Sequence, residues 1–354
     1  MNTEYNFNVD KDYLYDSFMR IISVPSPVGY SQKLNPVLKK MAEELGYEMT
    51  FDNRKNAYIT LDGEDNYKTV LIGAHADTLG LMVRSIDSNG TLLIRRLGGA
   101  VCPSLEGESV TVLTRDGREY TGIVICKAHS GHVFAEAHTL ERNEDTLRIL
   151  LDEDVHTKQE VKDLGIDHGD YVIIDPHTEM SNSGYLKSRF IDDKGAIACV
   201  YTALRFLKEN GIKPKYKTIF AFPYTEEIGS GGSYLPEGVS EFIAVDIGLI
   251  GPELNGHEKK VSICAKDAFG PYDYELTNRM IELAKKCGID YAVDLYFRYG
   301  TDADAAIKGG HDIIAATFGM AVYCSHGRER THIDGLVNTA KLTLAYVIFG
   351  SDAN

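Results

Sequence analysis

The texture of this chain changes twice along its length, and that constrains the fold more than any single motif. From about residue 84 to 184 come short β-rich pieces at close spacing: "TLLIRRL", "ESVTVLT", "EYTGIVIC", "DTLRILLD" and "YVIID". Gly, Asp and Asn punctuate them. Asn89-Gly90 and Asp116-Gly117 are hairpin signals, because tight hairpin turns need residues that accept positive φ. No strong helical stretch interrupts this run of about 100 residues, which predicts a small β-barrel or sandwich. On either side, strands alternate with helices. Apolar periodicity predicts helices over about 10–22, 31–45, 194–209, 273–287, 303–308 and 334–349. Strands are expected within 69–83, in "KTIFAF" and "EFIAVDIG", and over about 292–297 and 313–318. The all-apolar Val70-Leu71-Ile72 suits a parallel sheet covered on both faces. Strands separated by helices imply right-handed crossovers. The expected fold class is therefore α/β. A mostly parallel central sheet, with helices on both faces, is interrupted by an inserted small β-barrel domain. Residues 1–84 and 184–354 would form the catalytic domain and 85–183 the insertion.

Composition removes several function classes. The chain carries 37 Lys and Arg against 52 Asp and Glu, a net charge of −15. Nucleic-acid binding rests on cations that neutralise phosphates, so nucleic acid is not expected as a partner, nor is an anionic membrane surface. No apolar run approaches the roughly 20 residues of a membrane span. The polar, acidic "MNTEYNFNVDKDYLYDSF" has neither a basic n-region nor an apolar h-region, so no secretory signal is expected. The six cysteines (Cys102, Cys126, Cys199, Cys264, Cys287, Cys324) form no Cys-x-x-Cys pair. They fit free thiols in a reducing cytoplasm.

In an open α/β sheet the chemistry gathers at the carboxyl ends of the strands. Four acid or histidine clusters fall at or near such ends: His75-Ala76-Asp77, Asp192-Asp193, Glu226-Glu227 and Asp246. His326 in "YCSHGRERTH" is a fifth. Each has an ordinary explanation alone; Asp192, for instance, could simply cap the helix that follows it. Together they place like charges at one sheet edge, which a cation would make tolerable. A catalytic zinc takes imidazole nitrogen and carboxylate oxygen with about four ligands, one position being left for water. Two ions about 3.5–4 Å apart share a bridging group. His75, Asp192, Glu227, Asp246 and His326 match that inventory of metal ligands. Asp77 could accept the second imidazole N–H of His75 and fix its tautomer.

In this order, His75-x-Asp77 near "GLMV", "IDDKG", "TEEIGSGG", "VDIG" and a late histidine resemble the tetrahedral metallo-aminopeptidases. That family includes glutamyl and deblocking aminopeptidases and members named cellulase M or endoglucanase. The resemblance covers nearly the whole chain and implies a zinc-exopeptidase-like fold. It implies two divalent ions per chain, zinc in the first place with cobalt or manganese as alternatives. Asp192 would bridge them, with His75, Asp246, Glu227 and His326 completing the two sites. Glu226 would be the general base, and "YGTDADA" would lie near the substrate. The function implied is removal of N-terminal residues from peptides. The insertion would be a dimerisation domain, and dimers would assemble into a homo-oligomer, a dodecamer. The chain departs from the family pattern at Thr78, where a Glu is common, and at Gly195, one place early. It departs also in the late segment, which offers His326 and His332; the strand-end position favours His326.

Other functions remain on the table. A related dinuclear amidohydrolase, a deacylase or carboxypeptidase, would use the same metal chemistry. A glycosidase needs two carboxyls about 5–9.5 Å apart across a sugar bond, which adjacent Glu226 and Glu227 do not readily flank. A metal-stabilised scaffold would have no use for Glu226. His129 and His132, in the insertion, are expected to be surface or interface histidines.

Overall fold

The computed structural model describes residues 7–352. The start of the segment read for a secretory signal, and the outer ends of the two expected catalytic segments, fall on residues 1–6 and 353–354. These lie outside the described residues.

The core of the molecule is a twisted sheet with helices on both faces. Its strands lie in the order Thr50–Phe51, Ala57–Leu61, Tyr216–Phe222, Asp65–Gly73, Val239–Val245, Ile314–Val322, Val261–Lys266, Tyr291–Leu295. The middle is parallel: Asp65–Gly73 is flanked by Tyr216–Phe222 and Val239–Val245, and the latter pairs with Ile314–Val322. Val70, Leu71 and Ile72 are all buried, as covering on both faces requires. Each such side chain contributes roughly 1.5–3 kcal/mol. Helices Lys11–Ile22, Ile191–Asn210 and Ile333–Phe349 pack together on one face. The short helix Asp302–Lys308 covers a smaller core on the other, around Leu71, Ile219 and Phe242.

The strand Val261–Lys266 has no counterpart among the sequence expectations. It runs antiparallel to Ile314–Val322. No helix separates it from the Gly248–Leu249 strand before it, so the chain turns back instead of crossing over. Its "VSICAK" is too short and mixed for periodicity to single out.

The inserted segment is a closed barrel of six strands. They are Gly80–Ile86, Leu92–Leu97, Leu147–Leu151, Glu119–Cys126, Ser109–Leu113 and Tyr171–Ile174, in closed spatial order. The barrel thus begins at Gly80 and its last strand ends at Ile174. Gly90 and Gly117, in the two hairpin signals, have φ of 84° and 86°. A six-residue helix, Lys158–Asp163, sits among the strands; a single buried apolar residue, Val161, gave it no periodicity to read. A separate three-stranded antiparallel sheet joins Glu179–Met180, Tyr185–Ser188 and Glu329–His332. Among the described residues no helix is long and apolar enough to cross a membrane.

Candidate metal centre

Three adjacent parallel strands end level with one another. Gly73 is in register with Ala221 on one side and Ala244 on the other. The chain leaving the central strand delivers His75. Its neighbours deliver Glu226-Glu227 and Asp246. Asp192 arrives from the start of the long Ile191–Asn210 helix, where Asp192 and Asp193 have non-helical backbone angles. Their carboxylates therefore turn toward the strand ends. His326 comes from the loop after Ile314–Val322.

The side chains converge. His75 Nε2 lies 2.9 Å from Asp192 Oδ1 and 3.7 Å from Glu226 Oε2. His326 Nε2 lies 3.6 Å from Asp192 Oδ2 and 3.4 Å from Glu227 Oε2. Ligand-type atoms of His75, Asp193 and Asp246 lie within 4.8 Å of one another, as do those of His75, Asp192 and Glu227. The five residues expected as ligands are thus brought into one cluster. His332 is not part of it. It caps the last helix by accepting from the Asp334 N–H, and its Nε2 meets the Ser183 carbonyl.

Both imidazoles have their tautomers set. His75 Nδ1 is 3.0 Å from the main-chain oxygen of Asp77, and His326 Nδ1 is 3.1 Å from that of Gly99. A carbonyl only accepts, so each Nδ1 carries a proton and each Nε2 is left to face carboxylate oxygens. At 2.9 Å a proton joins His75 Nε2 to Asp192 Oδ1, and a metal ion could take that proton's place. Gly99 belongs to the inserted segment, so the barrel domain takes part in building the centre. A Cβ there would come 2.8 Å from His326 Nδ1.

The hydrogen-bond partner of His75 Nδ1 is the main-chain oxygen of Asp77 and not the carboxylate that was expected, which is engaged elsewhere. Its Oδ1 stands 3.4 Å from His75 Nδ1, but its two oxygens also accept the backbone N–H groups of Glu226 (3.1 Å) and Glu227 (3.2 Å). This buried carboxylate ties the histidine strand end to the acidic pair. The glycines after that pair have a steric reason. A Cβ on Gly232 would fall 1.8 Å from the Asp302 carbonyl, and Asp302 Oδ1 accepts the Gly232 N–H at 2.8 Å.

The electrostatics point the same way. Burial, with Asp192 close by, pushes Asp246 up to about 8. Burial pushes Glu226 and Glu227 well above the usual carboxylate range, and neighbouring carboxylates add to it. Burial alone would depress His75, yet Asp192 and Asp77 hold it well above the ordinary imidazole value. Acids that resist ionising beside a base that resists deprotonation describe a field in search of positive charge. Asp193 Oδ1 and Glu227 Oε1 are buried with no hydrogen-bond partner among the described residues. An orphaned carboxylate oxygen in such a place is costly unless an ion takes it up. Nitrogen and oxygen donors in this mix fit zinc and its borderline neighbours.

The cluster forms one wall of a cavity of about 600 Å³, whose other wall includes Phe269, Tyr299 and Lys308. A larger cavity, about 850 Å³, lies beside Phe190 and Lys194. It contains none of the converging histidines, so chemistry and not volume identifies the site.

Sequence reasoning missed Glu329. Its carboxylate is buried and accepts the Asp192 N–H at 3.0 Å and the His326 N–H at 3.4 Å. The signal was a single acid in the charged "GRER", with nothing to separate it from a surface residue.

Comparison with known proteins places the chain by sequence and by fold. YhfE of Bacillus subtilis (strain 168) is 40% identical over 328 residues, which cover 92% of this chain and 95% of that one. The lysyl aminopeptidase of Pyrococcus furiosus is 23% identical over 341 residues, 94% of this chain and 96% of that one. A TET aminopeptidase from a marine sediment Thaumarchaeota archaeon superposes with a TM-score of 0.85 at 19% identity, covering 95% and 96% of the two chains. Pyrococcus horikoshii TET1, described as assembling into a tetrahedron or a large octahedral shell, gives 0.83 at 22% identity, covering 95% and 99%. The family model of the M42 glutamyl aminopeptidases matches residues 55–342, and the chain belongs to that family.

Proposed function

We propose that this chain is a metal-dependent aminopeptidase that removes N-terminal residues from peptides, using two divalent ions per chain. The observation that carries the reading is the position of Asp192. Its two oxygens face two imidazoles, one each, as a bridging carboxylate should. His75 and Asp246 would complete one site, Glu227 and His326 the other. Zinc suits the donors, with cobalt or manganese as alternatives. Bound there, the ions would polarise the scissile carbonyl and bring the pKa of a water toward about 7. Glu226 is the general base: it takes the proton of the attacking water and returns it to the leaving amine. Asp77 holds Glu226 in place through the backbone. Six free cysteines, five of them buried, suit a reducing cytoplasm. Relatives that form closed shells support a homo-oligomer, with a dodecamer of dimers joined through the barrel as the specific proposal.

The test is elemental analysis of the purified protein together with a panel of aminoacyl chromogenic amides, acidic and basic residues included, against N-acylated amino acids. About two divalent ions per chain and hydrolysis of the free-amine substrates are expected. Hydrolysis of the acylated compounds alone would assign the site to a deacylase instead.

The barrel's part in the centre has its own expected result. In Gly99→Ala the new methyl must displace the His326 ring. Metal affinity should fall by roughly 10–100-fold, the usual cost of disturbing a group that orients a ligand. Competition with a chromophoric chelator measures it. An unchanged affinity would mean that the position of the His326 ring against Gly99 does not matter to metal binding.

A further inference from the structure

We propose that Glu329 is a positioning residue that holds two metal ligands from different parts of the chain at their working separation. This rests on the dinuclear reading above. The first observation is the double contact: one carboxylate accepts the backbone N–H of Asp192 and that of His326. These residues are 134 positions apart in the sequence, yet their side chains meet through Asp192 Oδ2 and His326 Nε2. The second observation is the register of the small antiparallel sheet, which pairs Ser188 directly with Glu329. That pairing fixes the approach to Asp192, four residues downstream of Ser188, against the exit from His326, three residues upstream of Glu329. The third is burial. Glu329 is 1% exposed, and among the described residues no cationic side chain is bonded to it.

A buried carboxylate bonded to two amide N–H groups is worth keeping only if the geometry it fixes matters. Hydrogen bonds are directional, so these two, at 3.0 and 3.4 Å, tie both segments to one side chain. His326 also needs holding, because its backbone sits at φ 62°, a left-handed conformation that costs a non-glycine residue free energy. The barrel adds a further restraint, since the Val101 N–H donates to the His326 carbonyl at 3.1 Å. Glu329 therefore acts through Asp192 and His326 and need not touch substrate itself.

Glutamine at this position keeps the shape but offers one acceptor where two are needed, and points an NH2 at an amide N–H. Glu329→Gln, stripped of metal and titrated with zinc in competition with a chelator, is expected to bind roughly 10–100-fold more weakly than wild type. Saturating zinc should restore most of kcat, since the base is untouched. A merely structural role would lower Tm and leave zinc affinity unchanged, and that outcome overturns the proposal. A second measurement needs no variant. In metal-stripped wild type, the amide protons of Asp192 and His326 should exchange with solvent slowly, and rapid exchange at both would also sink the idea. Should wild type bind no zinc at all, the dinuclear reading fails first; if wild type binds and Glu329→Gln matches it, only the role of Glu329 fails.

Discussion

Glu226→Gln should lose about 10²–10⁴-fold in kcat, the range that removal of a general base commands, while still holding its full complement of metal. The two neighbouring glutamates are distinguished by their surroundings. The Glu227 side chain is 3% exposed, has one oxygen buried with no partner among the described residues, and sets the other 3.4 Å from His326. Both line the cavity, but the Glu226 side chain is 15% exposed and stands 3.7 Å from His75. Burial and the nearby carboxylates of Asp246, Asp302 and Glu227 push Glu226 well above the usual range, the direction a base working near neutrality needs. The amide of Gln is nearly isosteric and leaves the backbone bond to Asp77 in place. It cannot take a proton. The control is Glu227→Gln, expected to lose metal as well as activity. Substantial turnover by Glu226→Gln would remove it as the base. Loss of metal from that variant would make it a ligand instead.

What could be read in advance follows from where each restraint comes from. His75, Glu226, Glu227 and Asp246 each follow an apolar strand directly, so strand-end logic reached them without a structure. The hairpins at Asn89-Gly90 and Asp116-Gly117 were legible because φ near +85° is a local demand that local residues must meet. The supporting contacts were not legible. Gly99 touches His326 across 227 positions, and Glu329 reaches Asp192 across 137. Neither contact leaves a periodicity or a spacing; each exists only once the barrel and the small sheet have formed. The Val261–Lys266 strand escaped for a related reason. Its direction is set by a loop that turns back, and the choice between turning back and crossing over is made by tertiary packing, not by propensity.

Asp192→Asn should be the most damaging single change in the ligand set, with metal lost and activity with it. Asp192 and Asp193 stand side by side at the head of one helix, and both carboxylates lie within reach of His75. They differ in what else they face. Asp193 Oδ2 accepts the His75 backbone N–H at 3.1 Å, so half of that carboxylate is committed to holding the strand end. Asp192 has no such duty. Both of its oxygens face imidazole nitrogens, and its pKa is lowered because the bond from His75 and the charge of His326 outweigh burial. An amide in its place keeps one oxygen but removes the negative charge and the second donor atom, so it cannot serve two ions at once. The loss in metal affinity should exceed the roughly 10–100-fold that removing a supporting partner costs. Asp193→Asn should stay within that range, because its amide oxygen can still accept from His75. Metal titrations of the two variants side by side give the decision. If Asp193→Asn were the one to lose metal, the bridge would belong to Asp193, and Asp192 would be the residue that merely steadies His75.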